Sequence, residues 1–380
     1  MPYNDRKPLF EKIETLRGGR ALVCYFTFDR AYNPATCQPL GLQTQFHAEV
    51  KESLFRVLKE SVSGKTGVDL CLYTRGGDTN AVWPIVSLIR EFDPDFQLLA
   101  PFRCHSSGTL VALGAKEIHL CPISELSPID PSTGNQFNPL DPTDKNSSNR
   151  LPISVEDVQE YRSFIRESLN PAQSKSQKSK DPSEQASPEF VPFLQKLVTD
   201  VHPLALGNVH RVHQQIKKLG SSLLNLHPVK GRDVDKIIDE LASRFFSHLH
   251  MINRKEALEI LGSEQVKFAS DDLASALDEL LRAYEDQFHL RQAFFLGEHM
   301  ADEPQKSVRF IGGAVESRHW SYLFETKAKI TQNSKLPANV QVQLPAGQIM
   351  PLIPGLPREY SLDLIAQGWI HNKTPQGVTL

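Results

Sequence analysis

Between residues 20 and 122 the chain alternates dense apolar runs with helical periods, and this rhythm restricts the fold more than any other feature. Ala21 to Phe28 (ALVCYFTF) is apolar, β-branched and aromatic throughout, the pattern of a strand buried on both faces. Val50, Leu54, Val57 and Leu58 then fall at helical spacing across residues 45–61. Val68 to Tyr73 (VDLCLY) is a second strand ending in the turn Thr74-Arg75-Gly76-Gly77, and Ala81 to Phe92 is helical up to Asp93-Pro94. Phe96 to Phe102 is a third strand, followed by a polar elbow and the small-residue helix GTLVALGA; Ile118 to Cys121 is a fourth. Strands alternating with helices predict an α/β fold whose sheet is largely parallel and covered on both faces.

Beyond Pro122 the pattern changes. Residues 123–152 are rich in Pro, Asn, Asp and Ser, a loop long enough to be functional. Ser154 is placed to cap a helix over VEDVQEYRSFIRESL, with acidic residues in its first turn. The Lys/Ser-rich tract 171–188 has nothing to bury and reads as a disordered insertion. From Glu189 to about Leu290 every segment carries a helical apolar stripe, whereas residues 293–380 alternate more and predict a β-rich extension. The expected division is therefore a catalytic core over 1–170, the insertion, a helical part over 189–292, and the extension.

Composition excludes some functions. With 42 basic against 45 acidic residues the net charge is −3, which argues against a dedicated nucleic-acid binder. The five cysteines (Cys24, Cys37, Cys71, Cys104 and Cys121) form no CxxC pair, and four lie in or beside apolar runs, which suits a reducing compartment. No run approaches the length of a bilayer span, and residues 1–19 have no apolar signal core. A cytoplasmic protein with no membrane span is expected.

The chemistry concentrates in Thr74–Asp78 (TRGGD) and His105–Thr109 (HSSGT). Each follows a predicted strand and opens a predicted helix, and in a parallel sheet such strand ends share one edge, where ligands bind. A serine on a sharp strand-to-helix turn exposes its hydroxyl, and the next backbone N–H points toward a developing oxyanion. A Gly-Gly turn lets a second N–H approach the same point, since no Cβ intervenes. Losing one such donor typically costs about 3–4 kcal/mol of transition-state stabilisation. As a purely structural feature, SSGT is a tight helix start in which Gly108 allows helix–strand packing, but that reading leaves the matching glycine pair unexplained.

The run LYTRGGDTNAVWPIVSLIREF, followed by CHSSGTLVALGAKEIHLCPISELSPIDP, resembles the signal peptide peptidase A branch of the Clp-protease/crotonase superfamily, and most of all its serine dehydrogenase proteinases. The downstream HPLALGNVHRVHQQIKKLGSSLL and FFSHLHMINRKEALEILG are similar to that group's helical half, so the likeness spans roughly residues 20–270 apart from the insertion. The resemblance implies a Clp/crotonase-like fold (a repeated β-β-α spiral) and a serine peptidase. Ser106 falls at the nucleophile, Ser107 at one oxyanion donor, and Gly76 and Gly77 at the other half of the hole. It further implies a homo-oligomer acting on a peptide or protein substrate with no metal or organic cofactor.

A serine hydroxyl needs a proton acceptor. The Clp protease's histidine position falls at about Ile129–Asp130, where no histidine stands. Signal peptide peptidases use a lysine, and Lys145, followed by Arg150 and the helix start Ser154-Val-Glu156, keeps that order with slightly shorter spacing. Desolvation or neighbouring cations can lower a lysine pKa toward neutrality, while a lysine in so polar a loop reads equally well as a solvated one. Lys217, Lys218 and His248 are further candidates for the base. His105 reads first as a structural histidine, and Arg75 as either a cleft residue or a surface one. His210 and His213 at i, i+3 lack the Cys or carboxylate partners of a metal site. Asp69, Asp78 and Asp130 are candidate supporting carboxylates. Two alternatives stay open: a non-catalytic scaffold on the same fold, and a crotonase-type acyl-CoA enzyme, which uses the same paired N–H groups but needs no serine at the elbow.

Overall fold

The structure, a computed structural model, describes residues 2–29, 44–129, 132–141, 150–169, 191–243, 250–292, 295–300, 303–336 and 352–372. In chain order the first elements are α1 (Tyr3–Leu16), β1 (Ala21–Thr27), α2 (Lys51–Ser61), β2 (Val68–Tyr73), α3 (Val82–Phe92), β3 (Gln97–Ala100), β4 (Arg103–Cys104), α4 (Ser107–Leu113), β5 (Glu117–Leu120) and β6 (Glu125–Leu126). Next come β7 (Ser132–Thr133), β8 (Ile153–Ser154), α5 (Val155–Leu169), α6 (Val191–Asp200), α7 (Pro203–Leu224) and α8 (Val234–Ser243). The chain closes with β9 (Ile252–Asn253), α9 (Arg254–Leu261), β10 (Val266–Phe268), α10 (Asp271–Gln287), β11 (Gln305–Glu316), β12 (Ser321–Ser334) and β13 (Arg358–His371).

These elements form two compact units, Met1–Leu126 with Ile252–Leu380, and Ser127–Met251. The chain rejoins the first unit at Ile252, where β9 pairs with β6 and, further on, β10 with β5. In the first unit an eight-stranded sheet has the order β10-β5-β3-β2-β1-β11-β12-β13. The strands from β10 to β1 pair in parallel, and β11, β12 and β13 extend the sheet by antiparallel pairing. The fold is thus α/β with a mixed sheet. One face of the parallel part carries Leu22, Cys24, Phe26, Cys71, Tyr73 and Leu99 against Leu9, Phe10 and Ile13 of α1 and Leu277, Leu280 and Tyr284 of α10. The alternate residues Val23, Tyr25, Leu70 and Leu72 are buried as well, and α2 packs on β1.

Two departures from the sequence pattern have simple causes. The strand in the apolar run 96–102 stops at Ala100, because Pro101 has no N–H to give a ladder, and the chain turns there into β4 of a second, three-stranded sheet, β4-β6-β9. The region read as wholly helical contains β9 and β10, of two and three residues, too short to show a period and formed only through their partners. In the second unit Ser154 caps α5 as expected: its hydroxyl accepts from the Asp157 N–H at 3.0 Å and the Asp157 carboxylate accepts from the Ser154 N–H at 3.3 Å. The tract 171–188 lies outside the described residues. No helix among the described residues is long and apolar enough to cross a membrane.

A buried ion pair ties the chain's first helix to its late strands. Arg6 Nη2 lies 2.8 Å from Glu316 Oε2 with both side chains fully buried, and Glu316 also accepts from Tyr284 Oη at 2.5 Å and Ser321 Oγ at 2.7 Å. Replacing Glu316→Ala leaves the Arg6 charge uncompensated, and a loss of about 3–5 kcal/mol in urea unfolding is expected. The shape-conserving pair Arg6→Met with Glu316→Leu should recover much of it.

At the starting end of the parallel strands Arg17 and Arg20 both clasp Asp69, each at 2.6 Å, and Arg20 reaches Asp93 at 3.0 Å. His119 Nε2 sits beside Gln97, Glu117 and Arg17 at about this spacing (3.0, 3.1 and 3.0 Å). Burial first, and then the Arg17 guanidinium, push the His119 pKa down from 6.5 to about 4. The unfolded chain therefore takes up a proton in this window that the folded chain refuses. Stability is full above pH 6.5 and falls as pH drops toward 4, by about 3 kcal/mol in total. Urea titrations across that window should show a pH slope that is smaller by up to about one proton in His119→Gln.

Candidate active site

The two segments singled out in the sequence meet. Phe26 pairs with Tyr73, so β1 and β2 end side by side. Past its end, β2 continues into Thr74, whose N–H donates to the Arg103 carbonyl at 2.9 Å and whose carbonyl accepts from the His105 N–H at 3.0 Å. That pair of bonds binds the strand leading into the Gly-Gly turn to the strand leading into Ser106. The elbow then closes on itself: the Gly108 N–H donates to the His105 carbonyl, the Leu110 N–H to the Ser106 carbonyl, and Thr109 Oγ1 to the Cys104 carbonyl.

Ser106 has φ 51° and ψ −109°, one of two non-glycine residues with positive φ among those described. Such a conformation costs a non-glycine residue about 1–3 kcal/mol and holds only where its surroundings over-determine it. Its neighbours His105 and Ser107 are buried, whereas Ser106 itself is partly exposed. The strained turn lifts one hydroxyl residue out of an otherwise buried segment.

Gly76 lies directly against it. A Cβ at Gly76, where φ is 105°, would stand 2.7 Å from Ser106 Cβ and 3.2 Å from Ser106 Oγ. A Cβ at Gly77 would strike the Phe46 backbone, 2.6 Å from its nitrogen. Phe46 bridges Gly77 as a short parallel strand would: its N–H donates to the Gly76 carbonyl at 2.9 Å and its carbonyl accepts from the Asp78 N–H at 2.8 Å. The Gly77 carbonyl accepts from Ser107 Oγ at 2.9 Å. The Gly76 N–H is taken by Thr74 Oγ1 at 3.0 Å, so it is not available to a ligand. The Gly77 and Ser107 N–H groups are engaged by no described residue. Of the two glycines, then, Gly76 supplies room for the serine and Gly77 the unengaged donor.

The surrounding charges are organised by Asp29, at the end of β1. Its Oδ2 accepts from Tyr73 Oη at 3.0 Å and lies 2.9 Å from Arg103 Nη1 and 2.8 Å from Arg75 Nε. Burial, and then Asp29, push the Tyr73 pKa up, so the phenol stays protonated. His105 Nε2 lies 3.3 Å from Glu125 Oε2 on β6. Cys104, next to the elbow, is fully buried and its thiol pKa is pushed up by burial, which removes it as a competing nucleophile. Asp69 lies in the ion network at the other end of the strands and does not support this site. Asp78 caps the following turn, accepting from the Asn80 N–H at 2.9 Å.

Lys145, His248 and Asp130 lie outside the described residues. Lys217 and Lys218 are on α7 in the second unit, where Lys217 pairs with Asp239 at 2.5 Å. No group of three or more His, Cys, Asp or Glu side chains placed to hold a metal ion occurs among the described residues. Phe46, Asp29 and Glu125 escaped the sequence reading. Phe46 falls in a stretch of helical period, and its pairing with Gly77 spans thirty residues.

No family model matches the chain. A stretch of 86 residues, 23% of this chain, is 29% identical to an uncharacterized protein of Methanocaldococcus jannaschii, and it spans 30% of that protein's length.

The packing makes the two glycines distinguishable by experiment. Gly77→Ala meets main-chain atoms that cannot turn aside, and a loss of about 2–4 kcal/mol is expected. Gly76→Ala meets the Ser106 side chain, so Ser106→Gly should recover part of its cost. A double-mutant cycle in urea should give a coupling above about 0.5 kcal/mol for positions 76 and 106, and a smaller one for 77 and 106.

Proposed function

We propose that this chain is a serine peptidase on a Clp-protease/crotonase-like fold, related to the serine dehydrogenase proteinases and signal peptide peptidase A enzymes. The observation that carries this reading is the strained, partly exposed Ser106 set against Gly76, beside two N–H groups, those of Gly77 and Ser107, that no described residue engages. Support for the fold comes from the chain's path. β3 runs in the large sheet, β4 in the small one, and α4 follows; β5 and β6 repeat the first two steps.

In the proposed reaction Ser106 Oγ attacks the carbonyl carbon of a peptide bond while a base takes the hydroxyl proton. The carbonyl oxygen becomes an oxyanion held by the Gly77 and Ser107 N–H groups. The proton passes to the departing amine as the C–N bond breaks, and water then cleaves the acyl-enzyme. We assign Lys145 as the base from its place in the sequence, before Arg150 and the Ser154 helix start. The reaction requires no metal or organic cofactor. We extend the proposal to a cytoplasmic homo-oligomer acting on peptides or proteins, a setting that the buried, unpaired Cys24, Cys71, Cys104 and Cys121 suit.

A fluorophosphonate probe tests the proposal on the intact protein. Labelling is expected in the wild type, none in Ser106→Ala, and a rate lower by about 100-fold or more in Lys145→Ala. An intact, assembled wild type that resists the probe overturns the proposal in favour of a non-catalytic scaffold. Resistance combined with acyl-CoA binding points instead to crotonase-type chemistry.

A further inference from the structure

We infer that Thr27 and Thr74 form a buried hydroxyl relay that positions the Gly-Gly turn, and through it the Gly77 N–H, for the oxyanion. The inference rests on the serine-hydrolase reading of Ser106 and assigns a role to Thr27, which lies outside the sequence motifs, and to the side chain of Thr74, which opens the first of them.

The geometry is specific. β1 is apolar or aromatic from Ala21 to Phe26 and ends in Thr27, whose neighbour across the sheet is the start of the Gly-Gly turn. Thr27 is 1% exposed and Thr74 fully buried. Thr27 Oγ1 donates to Thr74 Oγ1 at 2.7 Å, and Thr74 Oγ1 accepts from the Gly76 N–H at 3.0 Å. With its oxygen serving both donors, the Thr74 hydroxyl proton is directed toward the Gly76 carbonyl, 3.4 Å away. One hydroxyl therefore holds the two peptide units that flank the Gly76 Cα, the first by its N–H and the second by its carbonyl, and a second hydroxyl, anchored in the central sheet, fixes the first.

The grip determines where the next N–H points. Gly76 and Gly77 have φ of 105° and 153°, values open to glycine but with no intrinsic preference for this arrangement. The Phe46 backbone holds the outer side of the turn through the Gly76 carbonyl and the Asp78 N–H, Ser107 Oγ holds the Gly77 carbonyl, and Thr74 restrains the inner side at Gly76. If Thr74 Oγ1 is removed, the Gly76 N–H is buried without a partner, and the peptide can relieve this by rotating. The Gly76–Gly77 unit, which carries the Gly77 N–H, loses the Thr74 contact at its carbonyl at the same time and can turn with its neighbour, which moves the Gly77 N–H. A displacement of about 1 Å at such a donor lowers reaction rates by as much as about 100-fold. Thr27 and Thr74 touch neither substrate nor reacting atoms, so they are positioning residues.

The test separates rate from binding. Fluorophosphonate labelling of Ser106 is followed at several probe concentrations in wild type, Thr74→Val, Thr74→Ser and Thr27→Val. Thr74→Val should lower the maximal labelling rate by about 10- to 100-fold while half-saturation changes by less than about 3-fold. Thr74→Ser, which keeps the oxygen, should return to within about 3-fold of wild type, and Thr27→Val should fall between them. Affinity for a peptide boronate, which forms the oxyanion, should drop in parallel with the labelling rate. A folded Thr74→Val that labels at the wild-type rate overturns the inference, as does a Thr74→Ser as slow as Thr74→Val, which would mark the site as packing alone. Should Thr74→Val fail to fold, Thr27→Val decides, since it leaves the Thr74 bond to Gly76 intact; a wild-type rate there overturns the relay. Absence of wild-type labelling at Ser106 removes the relay together with the hydrolase reading, an outcome unlike any of the others.

Discussion

Two hydrogen bonds from Thr74, one to the Arg103 carbonyl and one from the His105 N–H, hold the site of this protein together. They join strands that are neighbours in space but thirty residues apart in the chain. Without them the Gly-Gly turn and the serine elbow are two independent strand ends. With them Gly76 packs on Ser106 so closely that even a methyl group does not fit between them. Net gains of about 0.5–1.5 kcal/mol per hydrogen bond are enough, over the few that close the elbow, to offset a Ser106 strain of about 1–3 kcal/mol. The margin is small, which explains why the elbow is closed by so many bonds from within: Gly108 to His105, Leu110 to Ser106, Thr109 to Cys104.

The same crowding decides which residues can be small. Gly108 is the second residue of α4, and a Cβ there would stand 2.7 Å from Thr74 Cγ2 and 3.1 Å from Cys104 Sγ, so the first turn of the helix packs this closely only with glycine at that position. Three glycines thus stand in the two turns, each excluded from carrying a side chain by a different neighbour: Gly76 by Ser106, Gly77 by Phe46, Gly108 by Thr74. A tight helix start alone accounts for Gly108. It does not account for Gly76, where the atoms nearest to an added Cβ are those of His105 and Ser106.

What was legible in the sequence is what local pattern can encode. β1 and β2 appear as apolar runs, interrupted in β2 by Asp69, because both faces of each strand are buried, and the elbow appears as Ser-Gly-Thr after a strand, residues that suit a sharp turn. The joint placement of TRGG and HSSGT followed from the rule that parallel strands share an edge. The rest depends on partners distant in the chain. Phe46 reads as part of a helix until Gly77 is beside it, and Thr27 reads as the last residue of a strand until Thr74 is. β10 exists only because β5 offers it a ladder. Glu125 and Asp29 look like ordinary charged residues, and their orientation toward His105, Arg103 and Arg75 is a property of the assembled sheet alone.

The late strands also serve the site, although they lie across β1 from it. β11 shifts register between Ile311 and Gly313, and at this bulge Gly312 leaves no room for a side chain against Thr44. The Gly312 carbonyl accepts from the Phe28 N–H at 2.8 Å, so the same bulge fixes the end of β1 just beyond Thr27. Thr44 is two residues before Phe46, whose backbone holds the outer side of the Gly-Gly turn. One irregularity in β11 therefore adjoins two of the segments that restrain that turn, the one that leads to Phe46 and the end of β1 at Thr27. Glu316, four residues along the same strand, is clamped by Arg6, Tyr284 and Ser321, which fixes β11 against α1 and α10. The Gly-Gly turn beside Ser106 is thus linked, contact by contact, to a buried carboxylate more than two hundred residues further along the chain.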